Sequence, residues 1–359
     1  MSRLAIDKVG RTFDGVRGAP PTVALLPTSL DVANNDFIDI SPGVIGANAL
    51  GSNNGRGRTT NPVTGRPYAP QNVRAGDFYR AIAEFWADGP KSETPPGHWN
   101  VIANSVSDVL APDLRIGGSG AVVDRLQWDV KMYLALNGAV HDAAIAAWGL
   151  KGRYDGARPI SMIRYMASRG QSTDPSLGVY NKEGLPLVPG LIELITTEKT
   201  AIGGPMRTLA GNEGKIAIRA WRPGFADTSA PRVGWILGTT WMPYQLSTFV
   251  TPSFQGYISG HSTFSRAAAE VLTSMTGSEY FPGGLSERTI TAGTFKIENG
   301  PSADVVLQWA SYYDAADQAG QSRLFGGIHV QADDFTGRIL GSICGKDAWA
   351  LAQRYYAGR

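Results

Sequence analysis

The sequence predicts an all-α protein, a helix-dominated domain with long irregular loops that carry its chemistry. Three observations support this. Apolar residues recur at helical spacing in several segments, as in Phe78, Ile82, Phe85 and Trp86. The 44 glycines and 22 prolines cluster between such segments and mark connections. No internal repeat, heptad array or zinc-ligand cysteine set points to another architecture.

Taken in order, residues 1–73 form a loop-rich amino-terminal segment and residues 74–359 a helical domain. Thr22 to Leu26 suits a short strand or a buried turn, and Gly51 to Pro70 an exposed loop whose arginines are solvated. A helix begins near Asp77 and ends at Gly89-Pro90. Thr94 to Trp99 is a turn, followed by a helix to Leu110. His98 is a loop histidine, structural or close to a substrate. Gly117 to Gly120 opens a long helix from about Ala121 to Leu150. It is apolar around much of its surface, so it is predicted to be central, with His141 as a core group. Pro159 suits the first turn of a helix over Ile160 to Ser168.

Leu187 to Thr197 and Gly211 to Trp221 are predicted helices. Pro223 to Tyr257 is a long irregular stretch, and loops of that length tend to be functional. A strong helix-forming run covers Ser265 to Met275. Arg288 to Ile297 alternates weakly, as a strand or hairpin does. Ser302 is a candidate cap for a helix over Ala303 to Ala319, and a last helix runs from about Ser322 to Tyr355.

The 359 residues suffice for one large domain or two ordinary ones. Hydrophobic residues at 43% and charged residues at 18% provide a substantial core and exclude disorder. A net charge of +2 indicates no general attraction to nucleic acid or anionic membrane. Cys344 is the single cysteine, so no intrachain disulfide forms, and it reads as a small core residue. No run of about 18 apolar residues suggests a membrane span. The first residues lack the apolar segment of a signal peptide, so the expectation is a cytoplasmic protein or an exported one whose leader is missing.

Three stretches carry chemistry. Lys151 ends one helix and Arg158 precedes the next, so a turn can bring both cations to one point. Ser259-Gly260-His261 stands where a Gly- and Pro-rich run gives way to helix. It is either an ordinary helix cap or an anion site built on unpaired N–H groups. Arg323 precedes His329, and His329 and Asp333 stand four apart. Asp333 can then accept from the ring N–H of His329 and fix its tautomer. Three cations and several donors converging on one point fit a tetrahedral oxyanion, with a histidine as nucleophile or ligand.

These motifs are Lys151 to Pro159, Ser259 to His261, and Ser322 to Asp333. Together, and in this order, they resemble the superfamily of vanadium-dependent haloperoxidases and type 2 phosphatidic acid phosphatases, bacterial acid phosphatases included. The resemblance implies an α-helical bundle with an oxyanion at one end. It implies vanadate as cofactor, with His329 bound to vanadium. Lys151, Arg158, Ser259, Gly260 and Arg323 would hold the vanadate oxygens, and His261 would be the acid–base group. Lys151 would also polarise the peroxide, with Asp333 behind His329. The substrates would be small molecules: halide, hydrogen peroxide and an organic acceptor. Trp148 and Phe254 match positions that line haloperoxidase halide sites; plain core packing is the alternative for both. In the phosphatase branch the same pocket holds phosphate, and His329 is the phosphoryl-accepting nucleophile. Ile258 departs from the Pro usual before Ser-Gly-His, and the stretch from Pro159 to Ser259 is longer than in compact phosphatases. The amino-terminal part is short for the paired bundles of large haloperoxidases, which leaves assembly as a homo-oligomer open.

Overall fold

The computed structural model describes residues 22–27, 57–87, 89, 92–222 and 233–359. Most of the 1–73 segment therefore lies outside the described residues, as does 223–232 of the long irregular stretch. Within the described part, β1 (Thr22–Leu25) pairs antiparallel with β2 (Gln71–Arg74). The helices follow: α1 (Ala75–Phe85), α2 (Pro95–Leu110), α3 (Arg125–Tyr154) and α4 (Pro159–Arg169). A three-stranded antiparallel sheet comes next, from β3 (Ile192–Leu194), β4 (Ile216–Trp221) and β5 (Val233–Leu237), with a one-turn helix α5 (Thr197–Thr200) between its first two strands. Then come α6 (Gly260–Thr276), the hairpin of β6 (Ser286–Ile290) and β7 (Val305–Trp309), α7 (Tyr312–Phe325) and α8 (Gln331–Tyr356). None of the described helices is long and apolar enough to cross a membrane.

The central helix is α6, not α3. On α3 the buried residues form one stripe, Trp128, Met132, Ala135, Leu136, Ala139, Val140, Ala143 and Ala147. Leu126 and Val130 are exposed on its other side, and so is His141, which is therefore a surface histidine beside Asp142. By contrast α6 is buried nearly all round, and α2, α3, α7 and α8 all pack on it. Its small residues Ala267, Ala268 and Ala269 let neighbours approach closely. The approach of α8 depends on Gly337, Gly341 and Gly345, one on each successive turn. A Cβ at Gly341 would lie 2.3 Å from the Thr263 carbonyl oxygen, and one at Gly345 would lie 2.6 Å from that of Ala267. Both obstructions are helix backbone, which cannot rotate away. Gly341→Ala is therefore expected to destabilise the fold by about 1–3 kcal/mol through overpacking. Unchanged unfolding in denaturant would show that α6 and α8 separate freely.

Several expected elements differ. Thr94 to Trp99 is not a turn: Thr94 caps α2 by accepting from the Gly97 N–H at 3.2 Å, with Pro95 in the first turn. Helix α3 starts at an Asp124 cap, past the glycines, and continues through Lys151. The regions predicted as helices over 187–197 and 211–221 hold strands. β4 is buried on both faces between two partners, so its apolar residues run on as they do in a buried helix. Val305, Leu307 and Trp309 alternate inward in β7, and the next helix waits for the Ser311–Asp314 capping box, not Ser302. The last predicted helix is two, α7 and α8, parted at Gly326-Gly327, where Gly327 has φ +74°. His329 lies in that break and not on a helix face.

Candidate functional site

The three motifs meet at one end of the bundle. The C-termini of α3 and α7 bring Lys151 and Arg323 there. The N-termini of α4, α6 and α8 bring Arg158, Gly260-His261 and His329. Three helix N-termini bring the positive ends of their dipoles to the same region. A cavity of about 40 Å³ lies between them, lined by Trp148, Arg158, Phe254, Gly260, His261, Arg323 and His329 among others. One water needs roughly 10–15 Å³ of such space, so the cavity suits a small oxyanion and not an enclosed organic molecule. Lys151, Ser259 and Asp333 stand just behind this lining.

His329 is buried, and its Nδ1 is 2.9 Å from Asp333 Oδ2. Its Nε2 is 3.0 Å from Nη1 of Arg158. A guanidinium only donates, so Nε2 is the acceptor and Nδ1–H donates to Asp333. The expected His329–Asp333 pair thus forms, but through the cap of α8, where Asp333 also accepts the Val330 N–H at 3.2 Å. Burial, with Arg158, Lys151 and Arg323 nearby, pushes the His329 pKa well below the ordinary histidine value. A neutral imidazole is the form that can ligate.

Arg158 donates from Nε to the Phe254 carbonyl and from Nη1 to that of Ile328, each at 3.0 Å. Its buried Nη2 has no hydrogen-bond partner among the described residues. A buried guanidinium nitrogen left unpaired is costly, and an anion in the cavity would satisfy it. Arg323 is buried and donates to Ser322 Oγ at 2.9 Å and the Ala83 carbonyl at 3.0 Å. A donor set of cations and N–H groups around one neutral imidazole fits an oxyanion such as vanadate.

Lys151 is buried against the rings of Trp148 and Phe254. Its Nζ donates to the carbonyls of Gln255 at 2.9 Å, Gly256 at 3.0 Å and Ile258. Burial first, and then the Arg158 charge, lowers its pKa to about 7. The three carbonyls favour the charged form. Ser259 is the N-cap of α6, its Oγ accepting from the Ser262 N–H at 3.3 Å. His261 has Nε2 at 2.8 Å from the Trp86 carbonyl, which must be the acceptor, so Nδ1 carries the lone pair. Burial and the Arg323 charge push its pKa well below the ordinary value. Gly260 permits close approach: a Cβ there would stand 3.1 Å from the Trp148 ring.

Trp148 and Phe254 meet with ring centroids 4.9 Å apart, and Trp148 stacks on Phe264 at 5.9 Å. Sequence reasoning missed Phe264, Phe249 and Gln245, which share the cavity lining. Gln245 and Phe249 fall in the long stretch from Pro223 to Tyr257, where length is the one sequence signal of function. His98 is buried on α2 between Phe85 and Trp86, away from this lining, with Nδ1 3.6 Å from Glu93. Cys344 is half-buried on α8.

A family model described as the VCPO second helical-bundle domain matches residues 131–181 and 203–358. Among solved structures, an apo-type bacterial vanadium-dependent chloroperoxidase is similar at a TM-score of 0.51 and 18% identity, over 77% of this chain and 45% of that one. A holo-type bacterial vanadium-dependent chloroperoxidase matches at TM-score 0.40 and 16% identity, covering 80% of this chain and 56% of its own. A bacterial vanadium-dependent iodoperoxidase, described as the first, matches at 0.41 and 21%, covering 75% and 43%. The chain thus spans about half the length of these proteins, and at 18% identity the likeness to the first of them is one of fold. No curated protein sequence matches it.

Proposed function

We propose that this chain, which belongs to the family of the VCPO second helical-bundle domain within the vanadium haloperoxidase superfamily, is a vanadate-dependent haloperoxidase. The net reaction is X⁻ + H₂O₂ + H⁺ → HOX + H₂O. One observation carries the reading: a neutral His329, its far nitrogen tied to Asp333, turns Nε2 toward a cavity walled by Arg158 and Arg323. Bound vanadate would supply a Lewis acid that activates peroxide at constant oxidation state.

The residues divide the remaining work. His329 Nε2 would ligate the vanadium once it releases Arg158, whose Nη1 and unpaired Nη2 would turn to the oxygens. Arg323 and the Gly260 N–H would hold the others. Ser259 would donate by turning its hydroxyl from Ser262. Lys151 would reach an oxygen by giving up one of its three carbonyls, and there it would polarise the peroxide. His261 would accept and return the proton at Nδ1, because Nε2–H is committed to Trp86. Trp148 and Phe254 would exclude water beside the cavity, a setting for a weakly hydrated halide. Those aromatic walls favour halide over the phosphatase alternative, in which His329 attacks phosphorus.

Vanadate-loaded protein should form triiodide from iodide and hydrogen peroxide. An aryl phosphate should remain uncleaved. Bound vanadate without turnover of any halide would sink the proposal, and efficient phosphate ester hydrolysis would move the chain to the other branch. A pH series tests Lys151. Its pKa of about 7 lies below the ordinary value of 10.5, so between these the folded chain holds fewer protons than the unfolded one. This group's share of stability is present above 10.5 and is lost as pH falls through about 7. Oxyanion binding favours the ammonium and has the opposite slope. Affinity should fall above pH 7 by up to about tenfold per unit, relative to Lys151→Met measured alongside. Parallel curves for the two proteins would show that Lys151 does not face the anion.

A further inference from the structure

We propose that this chain forms a homodimer through α3, with the α3 helices of two copies lying antiparallel. Nothing in this depends on the haloperoxidase reading. Helices α2, α6 and α8 pack on three sides of α3, and no described element covers the fourth. Along that side Leu126, Val130, Leu134, Ile145 and Trp148 are 73, 58, 49, 61 and 42% exposed. With Asn137 and His141, also exposed, they recur in steps of four, four and three residues, twice over. An 11-residue period is about 3.67 residues per turn, close to that of an α-helix, so the stripe stays nearly straight. At about 1.5 Å per residue it runs about 33 Å from Leu126 to Trp148. Single exposed leucines are ordinary, but a continuous apolar row marks a contact surface.

The order of the residues identifies the occupant as a second copy. A two-fold axis through Asn137, perpendicular to α3, sets Leu126 against Trp148 of the second copy. Within one residue it also sets Val130 against Ile145 and Leu134 against His141, and every pair occurs twice. The charges agree with this order. Lys131 and Asp142 are eleven residues apart, so they share one edge of the stripe. Lys131 lies over the Tyr356 ring at 5.1 Å and is in no ion pair among the described residues; Asp142 has only His141 beside it, at 3.6 Å. The same axis brings Lys131 of each copy to Asp142 of the other. Rim pairs of this kind add little affinity but fix register. Antiparallel order also opposes the two helix dipoles.

The area is sufficient. The five apolar side chains leave on the order of 500 Å² exposed per copy, so a pair would cover on the order of 1,000 Å², the lower bound for a specific interface. Association in the micromolar range is the expected strength. One end of the stripe reaches the oxyanion cavity, because Trp148 lines it. Leu126 of the second copy would cover the outer edge of that ring.

Analytical ultracentrifugation of the full chain tests the dimer. Wild type should sediment as a dimer at about 50 µM and dissociate on dilution below about 0.1 µM. Val130→Lys and Ile145→Glu should each weaken association about a hundredfold, because each puts a charge on an apolar contact. Both positions are exposed in the single copy, so the fold tolerates either change. Combined in one chain, the two changes should restore most of the association, since the axis brings the introduced charges together. Cross-linking tests the order. With Cys344→Ala as background, Asn137→Cys should give a disulfide-linked dimer under mild oxidation. Leu126→Cys should not, because its two copies would stand about 33 Å apart, beyond disulfide reach. A monomer at every concentration, or a dimer insensitive to both single variants, would overturn the interface. A double variant no stronger than the single ones, or a disulfide at Leu126 in place of Asn137, would overturn the antiparallel order.

Discussion

His329→Ala should lower vanadate affinity more than a hundredfold, and Asp333→Asn should lower it by about ten- to a hundredfold, as changes to the hydrogen-bond partners of metal-binding histidines do. The larger loss follows from geometry. In this cavity Nε2 of His329 is the proposed ligand nitrogen, and truncation removes it, while Arg158 Nη1 keeps its other acceptor, the Ile328 carbonyl, at 3.0 Å. The smaller loss has a different origin. Asp333 touches no bound group; it accepts from Nδ1–H of His329 at 2.9 Å and from the Val330 N–H at 3.2 Å. Asparagine keeps the shape but removes the charge that holds the tautomer. His261→Ala should behave otherwise, losing turnover while affinity changes little, because its role is at a proton. Vanadium NMR titration of the three variants separates these cases. Equal affinity losses for His261→Ala and His329→Ala would contradict the assignment.

The three motifs were legible because each is local. Of the six residues between Lys151 and Arg158, three finish α3 and three link it to α4, and that short link brings both cations to the same end of the bundle. The Ser259 cap was legible for the same reason, as a short-range hydrogen bond at a helix start. What failed needed neighbours. Whether a run such as Ile216 to Trp221 is strand or helix depends on the partners β3 and β5, which periodicity does not reveal. The central place of α6 depends on the glycines of α8, seventy or more residues away, whose function is to have no Cβ against the α6 backbone. His141 was expected in the core because α3 is apolar on both sides, yet only one side found a partner. His329 was expected on a helix. The Gly326-Gly327 break frees it to turn both ring nitrogens to fixed partners.

Asp334→Ala should cost about 3–5 kcal/mol of stability, the range for removing one partner from a buried ion pair. Asp334 is fully buried. Its Oδ1 accepts from Ser262 Oγ at 2.7 Å and Arg338 Nε at 2.9 Å; its Oδ2 accepts from Arg338 Nη2 at 2.8 Å and Gln321 Nε2 at 3.1 Å. Arg338 and Arg266 also share Asp317, at 2.8 and 3.2 Å. Two arginines face two aspartates there, and alanine would leave one buried positive charge in excess. Asp334→Asn, which keeps two of the hydrogen-bond positions, should cost less. Denaturant midpoints at fixed pH check both, and a loss below about 1 kcal/mol for alanine would mean that water or a rearranged Asp317 replaces the carboxylate. The consequence reaches the site. Ser262 has one hydroxyl proton, and the acceptor-only carboxylate of Asp334 takes it. Ser259, 2.9 Å from Ser262 Oγ, must then be the donor in that contact. The buried carboxylate thereby keeps the Ser259 proton on Ser262; Asp334→Ala lets Ser262 donate to Ser259 Oγ instead, which should leave the Ser259 proton for the oxyanion and tighten its binding where the fold survives. Stability and affinity measured on the same variant separate the two effects.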